Sequence, residues 1–362
     1  MGASACYHLA KKGFRVLGLD QFATPHSHGS HSGQTRIIRK SYYEHPDYIP
    51  LLQRAYHNWE MLEVEINRQL YFETGILYAG PAKNRILEGV KTSSSLYGIP
   101  VNELPHTSSG TFRLPADYEL LFEPEAGYLL CEESIRALLE IATRNGADIR
   151  NNAKVVTWSL TNDGVEVKTD RETFRAKRLI IAAGAWSARL IPEAAGKLNV
   201  TRQILAWFAT DRKAEYQLGN FPCWLIADPV SGGAYYGFPE DEEIAPGAKL
   251  ALHLPAGSVE ADNVSTIVTE TDLRQLREFV KNHLPGLNGE IVDAKVCLYE
   301  NSPDGNFVID QQEETDGRVT FGWGFSGHGF KFASAIGEIL ADLSVQGKTD
   351  LPIGFLSAKR FR

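Results

Sequence analysis

The sequence predicts an α/β chain, α+β overall, in which a nucleotide-binding βαβ part is interleaved with a mixed or antiparallel sheet part. Three stretches carry this reading. Gly2 to Lys12 reads as a helix ended by Gly13, followed by the apolar strand Phe14 to Leu19 and then Asp20, the second half of a dinucleotide-binding βαβ unit in which Gly2 can stand for the third glycine of G-x-G-x-x-G, the one that lets helix and strand pack closely. Leu179 to Gly184 is a continuous apolar strand ending in small residues, either a plain buried parallel strand or one that stops against a ligand. From Thr201 to Phe238 strand-rich sequence dominates.

The remaining elements follow from spacing. Leu52, Ala55, Trp59, Leu62 and Ile66 recur at helical intervals. A helix from about Glu133 to Asn145 points Ile135, Leu138 and Leu139 inward and stops at Gly146. Strands near Ala147 to Arg150 and Lys154 to Leu160 lead into a hairpin through Asn162-Asp163-Gly164 and the alternating Val165 and Val167. Leu273, Leu276 and Val280 mark a helix that stops before Pro285. No internal repeat or low-complexity linker separates these parts, as expected of two domains interleaved in sequence.

At 362 residues, with 43% hydrophobic and 23% charged side chains, the chain has the length of two domains and the composition of a soluble globular protein. Its net charge of -8 argues against nucleic acid as a partner but allows a local basic site for a small anion. No stretch is long and apolar enough to span a bilayer, and the first residues lack a signal-peptide pattern, so a cytoplasmic protein without a membrane partner is expected. Cys6, Cys131, Cys223 and Cys297 lie far apart without a CxxC pair, which disfavours structural zinc or a disulfide framework.

The most informative run is Gly324-Phe325-Ser326-Gly327-His328-Gly329-Phe330-Lys331-Phe332. Its glycines let backbone amides approach a ligand, Lys331 points into the same place, and the following helix, with Ile336, Ile339, Leu340 and Leu343 on one side, presents its N-terminus to electron-rich groups. In Ser30 to Lys40, Arg36 and Arg39 are three apart and would fall on opposite faces of a strand, so the backbone must turn if both serve one site. Arginine suits a carboxylate because its planar fork donates two parallel hydrogen bonds; the alternative is a solvated basic surface. Strand alternation places Lys249, Ala251 and His253 on one face, lining a pocket or an edge open to water. Tyr236 and Tyr299 are equally ambiguous, and Cys297, between Val296 and Leu298, reads as a buried small hydrophobe.

In order and approximate spacing, Thr35-Arg36-Ile37-Ile38-Arg39, Lys249 with His253, Cys297-Leu298-Tyr299 and the Gly324 to Phe332 run resemble the monomeric sarcosine oxidase family. That family includes N-methyltryptophan oxidase and the peroxisomal sarcosine and pipecolate oxidases, and the resemblance covers essentially the whole chain. Gly33 to Lys40 looks slightly closer to the pipecolate-type members.

The resemblance implies a Rossmann-like FAD-binding domain (residues 1–69, 131–200 and 304–362), truncated at its N-terminal end, interleaved with a mixed or antiparallel-sheet substrate domain (residues 70–130 and 201–303). It implies FAD tethered by a thioether from Cys297 to the flavin 8α-methyl. Arg39 and Lys331 would grip a substrate carboxylate in a pocket lined by Tyr236 and Tyr299, with His253 shaping the substrate side. Arg36 would lie against one flavin face, with Lys249 on that side assisting oxygen reduction. Gly2, Ser30, Thr35, Val155, Gly327 and Gly329, together with Arg36 and Lys331, would complete the FAD contacts, and Asp20 would hold the adenosine ribose. The implied reaction is oxidation of a secondary amino acid (sarcosine, an N-methyl amino acid or pipecolate) by oxygen, giving an imine that hydrolyses and hydrogen peroxide, in a monomer.

Three departures accompany the resemblance. Ser32 stands where several relatives carry a second histidine, and the C-terminus, Ala358 to Arg362, lacks a Ser-Lys-Leu type address. The strand and two glycines that should precede Gly2 are missing, so the chain is expected to begin at an internal methionine. Losing about five buried apolar side chains at roughly 1.5–3 kcal/mol each amounts to about 10 kcal/mol, against a typical whole-domain stability of about 5–15 kcal/mol. The competing expectation is therefore a flavin-poor relative that is inactive or only binds small acids or a partner. An NAD-dependent dehydrogenase is disfavoured because Cys297 and the Gly324 run would have no purpose there.

Overall fold

Eight strands form the largest layer of the computed structural model, which describes residues 1–254 and 256–362 and, of these, every side chain but those of Ser109 and Asn288. Their order is Leu287–Asn301, Asn199–Thr210, Ala248–His253, Ala234–Gly237, Cys223–Ala227, Ile76–Pro81, Tyr118–Glu123 and Asn102–Leu104. Neighbours run antiparallel except Cys223–Ala227 and Ile76–Pro81, which are parallel. Because side chains alternate along a strand, this sheet feeds two cores. Phe208, Trp224, Tyr235 and Leu250 pack under the Glu270–His283 helix through Leu273, Leu276 and Phe279. Leu205, Leu225, Tyr236, Ala251 and Cys297 lie together on the opposite side, toward the candidate site.

Smaller sheets make up the rest. Leu17–Leu19 pairs in parallel with Asp148–Arg150, and Leu179–Ile181 pairs in parallel with Val319–Trp323, which pairs with Val308–Gln311. Val155–Thr161, Gly164–Thr169 and Thr173–Ala176 form a meander. Thr35–Ile38 joins Gly127–Leu130 and Tyr71–Glu73 in a sheet that ties distant stretches together. The helices Gly2–Lys11, Ile49–Ile66, Cys131–Arg144 and Ala333–Gln346 pack beside these sheets through Ala5, Leu52, Trp59, Ile141, Ile336 and Leu340, all buried. The fold is thus mixed α/β, as expected. Among the described residues no helix is long and apolar enough to cross a membrane.

Three local expectations are corrected. The strand expected over Phe14 to Leu19 is confined to Leu17–Leu19, and Phe14 is 43% exposed. Only one edge of this strand is paired among the described residues, and the same holds for Leu179–Ile181. On the Cys131–Arg144 helix the fully packed row is Ser134, Ala137, Leu138 and Ile141, whereas Ile135 and Leu139, expected inward, are half-buried along a groove that these open edges border. Gly2 does not serve the close helix-to-strand packing expected of it: among the described residues a Cβ there would meet nothing within 4 Å. The close approach occurs instead between the first and last long helices, where a Cβ on Gly337 would sit 2.1 Å from Ser4 Oγ.

Candidate active site

A cavity of about 1230 Å³ runs from the N-terminus of the Gly2–Lys11 helix and Asp20 to Lys331 and Tyr299. It exceeds the roughly 300–1,000 Å³ of ordinary small-molecule pockets. Of the residues singled out from sequence, Gly2, Asp20, Ser30, Arg36, Arg39, Val155, Tyr236, His253, Tyr299, Gly327, Gly329 and Lys331 border it. Thr35, Lys249 and Cys297 do not, and lie behind its wall.

The wall at Arg36 is held from several elements. Arg36, on the Thr35–Ile38 strand, donates through Nη1 to Thr35 O (2.8 Å) and through Nη2 to Ser30 O (3.0 Å) and Ser32 O (2.6 Å). Nη2 also lies 3.2 Å from Cys297 Sγ, which shares a strand face with Tyr299 two residues on. Burial alone would lower the Arg36 pKa, but Cys297, Cys131, Tyr236 and Tyr299 reverse this and raise it. Lys249 Nζ donates to Gly33 O (2.6 Å), Thr35 O (2.7 Å) and Thr35 Oγ1 (3.0 Å). Burial, then Arg36, push its pKa well below that of an ordinary lysine. Lys249 therefore ties down the tight turn in which Gly33 has φ +100° and Gln34 φ 70°.

A second group of cations sits where the chain leaves that strand. Arg39 is buried between the rings of Tyr42 and Tyr43, 4.4 and 4.5 Å from their centroids. Its Nη1 donates to Ser41 O (2.8 Å), and its Nη2 donates to both carboxylate oxygens of Glu44 (2.7 and 2.8 Å). Burial alone would raise the Glu44 carboxyl, but Arg39, His328 and Lys331 bring it down to about 2. Lys331 Nζ donates to His328 O (2.8 Å); burial and then Arg39 lower its pKa to about 7. Burial lowers His328 to about 3 and His253 to about 4, so both imidazoles are neutral at pH 7. His328 Nε2 faces Gly305 O (3.0 Å), which can only accept, so Nδ1 is the nitrogen that accepts from the Tyr42 hydroxyl (2.5 Å). His253 Nδ1 lies 3.1 Å from the Tyr299 hydroxyl. Gly327, at φ +76°, has no alternative residue here, since a Cβ would come within 2.3 Å of the Tyr299 ring.

Sequence reasoning missed three groups. Glu44, the acid on the Arg39 fork, stands five residues after it and could have been found as a partner for a buried arginine. His31 borders the cavity with a buried Nε2 that has no partner among the described residues. Glu300 accepts from Gly324 N (3.1 Å) and Phe325 N (3.3 Å), and burial raises its carboxyl to about 7.

These residues fit a dinucleotide cofactor. At one end the Gly2–Lys11 helix opens its N-terminus on the cavity without a side-chain cap, leaving N–H donors for an anion. Asp20 accepts from Phe22 N (2.9 Å) near that end and keeps one side toward the cavity. The orphaned His31 nitrogen and the cation-rich wall lie further along. A mixed α/β fold around such a cavity has the arrangement of a protein built on a dinucleotide cofactor.

The chain belongs to the FAD-dependent oxidoreductase family, whose model matches residues 1–343. It is 34% identical to monomeric sarcosine oxidase of Bacillus sp. (strain NS-129) over 374 aligned residues, covering 99% of this chain and 94% of the relative. It is 32% identical to N-methyl-L-tryptophan oxidase of Yersinia pestis (strain Pestoides F), covering 100% and 97%. Among solved structures, the open form of NikD, an unusual amino acid oxidase essential for nikkomycin biosynthesis, superposes with a TM-score of 0.86 at 24% identity, covering 98% of this chain and 94% of that one. L-Proline dehydrogenase from P. horikoshii superposes with a TM-score of 0.84 at 20% identity, covering 99% and 94%.

Proposed function

We infer that this FAD-dependent oxidoreductase oxidises a small secondary amino acid of the sarcosine, N-methyl amino acid or pipecolate type, with oxygen as acceptor, yielding an imine that hydrolyses and hydrogen peroxide. The observation that carries this reading is the convergence of Arg39 and Lys331 on one cavity beside Tyr236, Tyr299 and His253. A carboxylate already rests on the Arg39 fork, that of Glu44 at 2.7 and 2.8 Å. A substrate carboxylate takes this place by exchanging with it, so the two like charges are never buried side by side. The names of the sarcosine and N-methyl-L-tryptophan oxidases to which the chain is similar support the substrate class.

FAD, when bound, supplies the two-electron acceptor. Gly2, Asp20, Ser30, Val155, Gly327 and Gly329 would hold it, with Arg36 and Lys331 at its reacting end and Thr35 supporting the wall from behind through Lys249. Residues 1–69, 131–200 and 304–362 would form the cofactor part, and residues 70–130 and 201–303 the substrate part. The chain's own groups orient the substrate: Arg39 and Lys331 fix its carboxylate, and the neutral His253 holds the Tyr299 hydroxyl in the pocket wall. Cys297 is the proposed tether; Cys297→Ala should release all flavin on denaturation, and wild-type protein that also releases all its yellow colour would remove the tether.

Peroxide release and anaerobic bleaching of the purified chain with sarcosine, N-methyltryptophan, pipecolate and proline test the reading. At least one should be oxidised; a yellow protein that oxidises none overturns it. The edges of Leu17–Leu19 and Leu179–Ile181 that are unpaired among the described residues favour a second reading, a flavin-poor relative that only binds small acids. A visible spectrum without flavin peaks would select it.

A further inference from the structure

The segment that carries Arg39 and Glu44 belongs to no helix or strand. After Thr35–Ile38 the backbone passes through Arg39 to Glu44 without a ladder to hold it, yet the direction of the Arg39 guanidinium depends on this stretch. Arg39 bonds to Ser41 O and Glu44 and stacks between Tyr42 and Tyr43, all within five residues of itself. A shift of the backbone at residues 40–43 therefore carries the fork with it.

What holds that backbone comes from the far end of the Tyr118–Glu123 strand. The Glu123 carboxylate accepts from Lys40 N (2.5 Å) through Oε1, and from Ser41 N (3.2 Å), the Ser41 hydroxyl and the Tyr78 hydroxyl (2.9 Å) through Oε2. It is fully buried and does not border the cavity. One carboxylate thus takes both consecutive N–H groups that follow Arg39, a service that backbone carbonyls supply in a sheet. A second element presses from the other side. Gly89 of the Arg85–Tyr97 helix lies so close that a Cβ would stand 2.7 Å from the Tyr43 Cα and carbonyl oxygen. Ser93 on the same helix donates to Tyr42 O (2.5 Å).

We propose that Glu123 is a positioning residue for substrate recognition: by clasping the Lys40 and Ser41 amides it sets the reach and angle at which Arg39 meets a carboxylate, while the Gly89 contact fixes the opposite side of the same loop. The proposal rests on the reading that Arg39 anchors the substrate carboxylate. Glu123→Gln keeps size and one acceptor oxygen but turns an amide N–H toward amide donors, so the clasp opens on one side. Glu123→Asp keeps the charge and withdraws it.

The experiment uses the flavin-loaded enzyme and acetate as an inert carboxylate, its dissociation constant read from the perturbation of the flavin spectrum. Glu123→Gln should weaken acetate by about tenfold or more and raise KM for the amino acid by the same factor, with kcat at saturation within about threefold. Glu123→Asp should fall between Gln and wild type. If Glu123→Gln does not retain flavin, Gly89→Ala is measured instead; it displaces the Tyr43 backbone and should weaken acetate in the same way. Unchanged acetate affinity in whichever variant holds flavin, or a loss confined to kcat, overturns the proposal. Arg39→Lys is the separate control: if it leaves acetate affinity unchanged, the anchor reading itself fails, whereas a weakened Arg39→Lys beside an unaffected Glu123→Gln removes only the role given to Glu123.

Discussion

At the Tyr299 end of the cavity Arg36, Arg39, Lys249, Lys331 and His328 all meet acceptors or donors supplied by the protein, at 2.5 to 3.2 Å. At the Asp20 end, Leu17–Leu19 and Leu179–Ile181 each leave an edge unpaired among the described residues, and the Gly2–Lys11 helix starts without a side-chain cap. The first region is preorganised, because its buried charges must be satisfied whether or not a ligand is present. The second keeps its donors for whatever lies in the groove. Substitutions at the two ends should accordingly differ in kind: at the first they disturb a closed network, and at the second they remove contacts that are only half made.

The largest effect is expected at Arg39. Arg39→Leu removes one partner of a buried charge pair, which typically costs roughly 2–5 kcal/mol, so kcat/KM should drop by about 30- to 5,000-fold. It also strands Glu44, and melting should reveal a destabilisation of about 3–5 kcal/mol. Adding Glu44→Leu should restore much of the melting temperature without restoring turnover. Recovery of both would mean that Arg39 serves the fold alone.

Lys249→Met should come next. Stopped-flow measurements should show anaerobic flavin reduction largely intact and reoxidation by oxygen slower by about 10²-fold, the usual cost of losing one preorganised charge or donor. Lys249 donates to Gly33 and Thr35 from behind the wall, so a purely structural lysine would instead slow both half-reactions together.

A smaller, graded effect is expected from pH. Burial brings Lys331 down to about 7 from the ordinary 10.5. Below pH 7 it is charged and ready for a carboxylate, while above pH 7 it must first take up a proton. Acetate affinity should therefore be flat below pH 7 and weaken above it by up to about tenfold per unit. In Lys331→Met this slope should vanish. A slope that persists in the variant assigns the titration to another group.

Much of this network was legible in the sequence because it is carried by residue types whose burial needs a reason. Arg36, Arg39 and Lys331 stood in apolar or glycine-rich company, and strand alternation placed Lys249, Ala251 and His253 on one face before any coordinates. What stayed hidden depends on long-range pairing. Glu44 and Glu123 are ordinary acids in a list of residues, and only the fold shows one on the Arg39 fork and the other on the amides that follow it. Lys249 was expected either to line a pocket or to stand on an edge open to water, but strand position gives the face and not the depth, and Gly33 to Thr35 cover it. The close packing expected of Gly2 failed for a different reason, since among the described residues nothing lies within 4 Å of where its Cβ would be.

The smallest effect tests the groove. On the Cys131–Arg144 helix Ile141 is fully buried, whereas Leu139, two residues earlier, is half-buried along the open edges. Ile141→Ala should cost about 2–5 kcal/mol, as large-to-small core changes do. Leu139→Ala should cost less, about 1–2 kcal/mol, because part of its side chain stays exposed along the groove. Equal losses in denaturant unfolding would show that the groove is packed as tightly as the core, and the contrast between the two ends of the cavity would then not hold. If flavin loading raises the cost at Leu139 but not at Ile141, the cofactor itself closes this end, and the difference between the two costs measures how much.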